Sequence, residues 1–328
     1  MKNKSKTTYQ NDFSAIYQMI TEAKTAAWQQ VNSTLIHLYW NIGRYVSEKV
    51  EKDGWGKNVV EQLSRYIISE SPSIKGFSAR NIWRMKQFYD TYNNCKKLSA
   101  LLTEISWTNH LHILSKTKTA DEREYYLLLA AKSRYSERDF ARLIDSGTYE
   151  RTTLADIKLS AVLTEFSGNT TRVFKDCYVF EFLGLSDDHK ENDLRRGLIL
   201  HLKKFLIELG PDFTLIGEEY PLQVGMKDFR IDLLMFHRGL NCMTAIELKT
   251  VEFEPSHLGQ LQFYLEVLDR DVKKPHENSS IGILICKTKD DEVVKYAMNR
   301  SMSPTMIAEY ETKLINKSLL KKKLQELC

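Results

Sequence analysis

Long apolar runs are missing from this sequence. No stretch approaches the ~18 apolar residues a membrane span needs, which argues against a membrane protein. Close-spaced cysteines are missing too. Cys95, Cys177, Cys242, Cys286 and Cys328 are scattered, which excludes a zinc ribbon or a disulfide framework and fits a reducing compartment. The basic, polar start (Met-Lys-Asn-Lys-Ser-Lys-Thr-Thr) has no apolar segment behind it, so no secretory signal is expected and cytoplasmic residence follows. There is no internal repeat and no low-complexity tract.

What is present is an ordinary globular composition, 42% hydrophobic and 27% charged, over 328 residues. That length suits two domains with their own cores. The net charge of +4 is unevenly spread. Residues 1–170 hold 24 Lys and Arg against 18 Asp and Glu, while the remainder holds 23 against 25. A basic first half beside a mildly acidic second half points to a polyanion-binding part and a metal-carrying part.

The first half reads as helical. Phe13, Ile16, Tyr17, Ile20, Ala27, Val31, Leu35, Leu38, Tyr39 and Ile42 recur at helical steps and predict a core-facing helix pair, with a break at Gly43 and a stop at Asp53-Gly-Trp-Gly56. A second helix follows from Lys57, then a turn rich in Ser, Pro and Gly, then a third helix capped by Ser78. On that third helix Ile82, Met85, Phe88 and Tyr92 form the buried stripe, leaving Arg80, Asn81, Arg84 and Gln87 to face elsewhere. Such side chains can bond base edges or phosphates, so the arrangement has the anatomy of a helix-turn-helix reader; an ordinary helical hairpin with a polar face has the same spacing. His110 and His112, two apart on a helix, point to different faces and make no metal pair. The expected organisation is a helical domain over 1–150, a Thr-rich connection over 151–175, and a second domain over 176–328.

In the second half a helix over 193–209 precedes a strand over 213–224. Two further strands, 227–236 and 242–249, fold back on each other through His237-Arg-Gly-Leu-Asn. A hairpin symmetric about Gly239 and Leu240 sets Asp232 opposite Glu247, with Cβ atoms ~5 Å apart. Lys249, two residues on, shares a face with Glu247. Two adjacent carboxylates repel unless a cation joins them, and hard oxygen ligands so spaced suit Mg²⁺. An ammonium beside such an ion can orient or deprotonate a water, or neutralise charge on a phosphate. That constellation cleaves phosphodiesters. A helix carrying Gln260 to Leu268, a buried strand 281–286, a helix 290–300 and a final helix 317–327 complete the prediction.

The strand order, with Asp232 on one strand and Glu247-Leu-Lys249 on the next, resembles the PD-(D/E)XK nuclease superfamily, and Gln260-x-x-x-Tyr264 resembles its RecB-type branch. The segments Trp55-Gly-Lys-Asn-Val-Val60, Gly76-Phe-Ser-Ala-Arg-Asn81, Tyr178-Val-Phe-Glu-Phe-Leu-Gly-Leu185, Gly259-Gln-Leu-Gln-Phe-Tyr-Leu265 and Lys274-Pro-His-Glu-Asn278 are similar to those of the YhcG-type nucleases of bacteria. Glu-x-Lys alone says nothing, since it recurs at Glu22 and Glu311.

The resemblance implies an α/β (α+β) restriction-endonuclease-like core behind an all-α winged or helix-turn-helix-type DNA-binding domain. It implies a Mg²⁺- or Mn²⁺-dependent deoxyribonuclease in which Asp232 and Glu247 bind the ion, Lys249 assists the attacking water, and Gln260 and Tyr264 flank the site. DNA is then the partner, with RNA open and a homo-oligomer possible, because many such nucleases pair to cut two strands. The competing reading is a DNA-binding or defence-complex module that keeps the fold without the catalysis. One position departs from the family pattern: Arg195 stands where an acid is expected. Glu191 and Asp193, or one of Glu218 and Glu219, are the substitutes the sequence offers as a third metal ligand.

Overall fold

A computed structural model describes residues 4–95, 99–133, 135–154, 157, 159–166, 173–299 and 301–314. The expected last helix, 317–327, lies outside them. The chain divides into two compact units, Met1–Ala141 and Arg142–Cys328. Among the described residues no helix is long and apolar enough to cross a membrane.

The first unit is helical, and its described residues include no strand, hence no β-wing. Helix α1 (Lys4–Asp53) runs unbroken through Gly43. The predicted break is instead a crossing. A Cβ on Gly43 would lie 2.1 Å from the Met85 carbonyl oxygen of α3 (Ala79–Tyr92), so only glycine lets the two backbones approach so closely. Around it Val46, Val60 of α2 (Lys57–Glu70) and Ile82 form a small core. The amino-terminal stretch of α1 does not face a core as predicted: Phe13, Ile16, Tyr17, Met19 and Ile20 are exposed. Ser78 caps α3 as expected, accepting the Asn81 N–H.

Three helices follow α4 (Ser99–Glu104): α5 (Trp107–Lys116), α6 (Ala120–Lys132) and α7 (Glu137–Asp145). Ser106 and Thr119 cap the first two, each accepting a backbone N–H three residues on. His110 is buried, its ring against the Leu102 carbonyl at 2.9 Å, whereas His112 approaches Glu137.

The division into units falls within α7, ahead of residue 150, and the described residues of the expected connection include two ordered elements. Residues Glu150–Leu154 form a π-turn and α8 spans Ala161–Phe166. The buried Arg151 bonds to Glu208 at 2.5 Å and to the Cys177 carbonyl at 2.7 Å. Arg142 reaches the same Glu208 at 3.0 Å. These pairs tie the segment into the second unit.

That unit is a six-stranded sheet in the order β1-β6-β5-β4-β3-β2. The strands are β1 (Cys177–Val179), β2 (Phe213–Val224), β3 (Lys227–His237), β4 (Cys242–Glu252), β5 (Asn278–Thr288) and β6 (Thr305–Glu311). β2, β3 and β4 are antiparallel neighbours; β4, β5, β6 and β1 run parallel. The sequence predicted four of the six. One face packs on α9 (Glu191–Leu200) and α10 (Leu202–Leu209), which replace the single predicted helix and meet at His201. The other packs on α11 (Ser256–Val267) and α12 (Asp291–Met298). Central strands covered on both faces read as continuous apolar runs, as Ile281–Cys286 does.

Candidate active site

The β3–β4 ladder pairs Leu233 with Ile246 and continues in step to His237 with Cys242. This is the register that symmetry about Gly239 and Leu240 requires. Asp232 and Glu247 come next, where the two strands leave the ladder. The Asp232 N–H points at Glu247 Oε1 (3.5 Å), and Asp232 Oδ2 accepts the Leu248 N–H at 3.0 Å.

Glu247 is 2% exposed. Burial, and then the neighbouring Asp232 carboxylate, push its carboxyl well above the usual range, and Lys249 draws it back only in part. Such a carboxylate pair is stabilised by cations beside it. Lys249 Nζ lies 3.6 Å from Glu247 Oε2 and 3.6 Å from Glu191 Oε2. Burial lowers its pKa, but Glu247, Glu191 and Asp232 outweigh that and raise it above the ordinary lysine value. Lys249 is therefore held as an ammonium rather than a base.

Mg²⁺ needs only one or two carboxylates, with water and substrate phosphate completing its shell. The donor chemistry of Asp232 and Glu247 fits that. A third protein acid does not join them: among the described residues no group of three or more Asp, Glu, His or Cys is placed to hold a metal. Of the substitutes, Glu191 at the start of α9 turns to Lys249. Asp193 caps that helix, accepting the Lys190 N–H at 3.1 Å. Glu218 is exposed on β2. Glu219 falls between the pairs Glu218–Leu233 and Tyr220–Ile231, hence opposite Asp232, and is held at φ 42°. That left-handed backbone is uncommon for a residue with a side chain and clusters at functional sites. Its carboxylate, however, pairs with Arg195 at 3.1 Å. Arg195 also meets Asp232 Oδ1 at 3.3 Å.

From α11, Gln260 Nε2 donates to the Tyr264 hydroxyl at 2.7 Å. Tyr264 is packed into the core between sheet and helix, and burial raises its pKa. The charges of Glu247, Asp232 and Lys249 all act on it, so the helix borders the site. His257, one turn before Gln260, was not singled out from the sequence. Its Nδ1 accepts the Glu254 N–H at 3.1 Å, and burial, then Lys249, lower its pKa. Its one-turn spacing from Gln260 was the available signal.

In the first unit Arg80, Arg84 and Gln87 share a face of α3 at steps of four and three, with Arg80 and Gln87 exposed. Asn81 does not join them. Its Nδ2 donates to the Gly76 carbonyl at 2.5 Å and its Oδ1 accepts from Trp107 Nε1 at 3.0 Å. Those two bonds hold the turn before α3.

A buried Glu247, a half-buried Asp232 and a lysine at the splayed end of a β-hairpin, in a mixed sheet flanked by helices, define a nuclease domain of PD-(D/E)XK type. Residues 171–325 match the family model of the YhcG PDDEXK nuclease domain, and residues 15–151 match that of the DUF1016 N-terminal domain. The chain is 29% identical, over 93% of its length and 91% of the relative's, to the Escherichia coli (strain K12) protein named "Putative nuclease YhcG". A repair endonuclease from Pyrococcus abyssi overlaps 39% of this chain and 49% of its own. At 16% identity and a TM-score of 0.26, that likeness is too slight to argue from.

Proposed function

We propose that the chain is a metal-dependent deoxyribonuclease, brought to DNA by its helical unit. The observation that carries this is the buried Glu247 beside Asp232, a carboxylate pair that a divalent ion would stabilise, with the Lys249 ammonium 3.6 Å away. Asp232 and Glu247 would hold Mg²⁺ or Mn²⁺. Bound there, a divalent ion supplies Lewis-acid charge at the phosphate and a more acidic water. Lys249 donates to the attacking water or to a non-bridging oxygen as charge grows on it. Attack on phosphorus breaks the bond to the 3′ oxygen and leaves a 3′-hydroxyl and a 5′-phosphate. Gln260 and Tyr264 border the strand being cut. Arg80, Arg84 and Gln87 supply a phosphate-binding face on the helical unit.

A second reading, a DNA-binding module with little or no catalysis, has one observation behind it: the Arg195 guanidinium is paired with Asp232 Oδ1. Asp232→Asn and Lys249→Ala, assayed beside wild type on plasmid and linear DNA with Mg²⁺, separate the two. Cleavage by wild type, reduced at least ~100-fold in both variants, supports the nuclease. Three equally inert proteins that all bind DNA would leave the binding module.

A further inference from the structure

Arg195 is packed tightly into the site. Its Nη1 lies 3.3 Å from Asp232 Oδ1, and its Nη2 lies 3.1 Å from Glu219 Oε1 and donates to Asn192 Oδ1 at 2.9 Å. The side chain is only 16% exposed. The Asn192 contact is one turn back on the same helix, and the Glu219 contact comes from a residue whose backbone is held at φ 42°. Asp232 Oδ2 accepts the Leu248 N–H. Oδ1, the other oxygen of that carboxylate, carries the guanidinium.

A divalent ion and Arg195 therefore compete for one carboxylate. Two cations cannot share it cheaply, because their repulsion at such separations is large in a half-buried site. The guanidinium that gives way stays tethered by Glu219 and Asn192 beside the acidic pair. Its planar fork is suited to two phosphate oxygens, which an ammonium is not. We propose that Arg195 is the substrate-phosphate ligand of this site and, before substrate arrives, the competitor of the divalent ion at Asp232. The proposal rests on the nuclease reading above. It makes ion and substrate mutually supportive: phosphate draws the guanidinium off Asp232 and opens Oδ1, and by linkage the ion raises affinity for substrate by the same factor.

The test uses the full chain and two binding measurements. One is Mn²⁺ affinity by calorimetry, and the other is affinity for a labelled phosphorothioate duplex by anisotropy, with and without Mn²⁺. Arg195→Ala should tighten Mn²⁺ roughly tenfold, having removed a nearby positive charge, while weakening the duplex about tenfold and erasing its coupling to Mn²⁺. Glu219→Gln should do the reverse, weakening Mn²⁺ several-fold because the guanidinium then leans on Asp232 alone. Opposite signs on the two ligands are what a merely structural role, which weakens both, does not produce. If Arg195→Ala fails to fold, Glu219→Gln and Arg195→Lys decide. The lysine variant should keep Mn²⁺ affinity near wild type and lose duplex affinity. Unchanged or weaker Mn²⁺ binding in Arg195→Ala, or stronger binding in Glu219→Gln, overturns the proposal. Asp232→Asn is the control for the site itself. If it binds Mn²⁺ as wild type does, the nuclease reading fails; if it loses Mn²⁺ while the other variants behave as wild type, only the role of Arg195 fails.

Discussion

Replacing Gly43 by alanine sets two helical effects against each other. Alanine in a helix interior is favoured over glycine by ~1 kcal/mol, so an isolated α1 would gain from the change. In the folded unit the new Cβ falls 2.1 Å from the Met85 oxygen, 2.7 Å from its carbonyl carbon and 3.0 Å from Tyr89 Cβ. Ordinary contacts begin at 3.4 Å. Two of the three obstacles are backbone, so no side-chain rotation relieves them, and α1 and α3 must part by roughly 1 Å. Parting loosens the Val46–Val60–Ile82 cluster and the contact of Trp40 with Phe88 and Tyr89. Overpacking of this kind costs ~1–3 kcal/mol, more where backbone is the obstacle. The expected net loss is therefore about 2 kcal/mol despite the better propensity. All five tryptophans (Trp28, Trp40, Trp55, Trp83 and Trp107) lie in the first unit, so tryptophan fluorescence in a urea titration reports that unit alone. A midpoint lowered at constant slope is the expected result. A Gly43→Ala chain stabilised by ~1 kcal/mol would mean that propensity alone is at work and that α1 and α3 do not cross there.

Other expectations follow from the buried charges and the exposed helix face. Burial lowers His110 from 6.5 to about 4 against a weaker opposing hydrogen bond to Leu102, so it stays neutral in the fold while the unfolded chain takes up a proton below 6.5. Stability should fall as pH drops from about 6.5 to 4, by about 3 kcal/mol, and a His110→Phe chain compared across that window should lack this component of the slope. Glu208 is pulled up by burial, but Arg151, Lys175 and Arg142 win and hold it at about 2. Glu208→Gln leaves those cations facing a neutral amide and should cost ~3–5 kcal/mol in urea or thermal unfolding, and a near-neutral result would refute the pairing. Arg80→Ala and Arg84→Ala should each weaken duplex binding and reduce the slope of log affinity against log salt by about 1. Unchanged affinity and slope would remove α3 from the DNA-binding surface.

The central hairpin was legible because its information is local. Alternation along β3 and β4 and a short polar turn determine a register, and the register places Asp232 beside Glu247. The helix start at Ser78 was legible for the same reason, since a cap needs only its own next three residues. The remainder depends on partners far along the chain. Thr305–Glu311 is a brief apolar run that becomes a strand by pairing with β5, and Cys177–Val179 becomes one by pairing with β6. Gly43 looked like a helix breaker because Met85, which explains it, is over forty residues away. The bonds of Asn81 to Gly76 and Trp107 were not legible either, because Trp107 lies on another helix. Arg195 looked like a lost acid, and its meaning lies in Glu219 and Asp232 on two other elements.

The parallel side of the sheet also sets a timetable for synthesis. β1 emerges early, yet its partner β6 is more than a hundred residues downstream, with Cys177 finally beside Glu309. The helical unit, whose contacts lie within the first 141 residues, can fold while the rest is still being made. The sheet cannot close until Thr305–Glu311 has left the ribosome. Until then β5, apolar from Ile281 to Cys286, carries an open edge toward the absent β6. A nascent chain stalled just short of residue 305 therefore holds its acidic pair and lysine in an unfinished and sticky sheet, so stalling there should favour aggregation over premature cleavage.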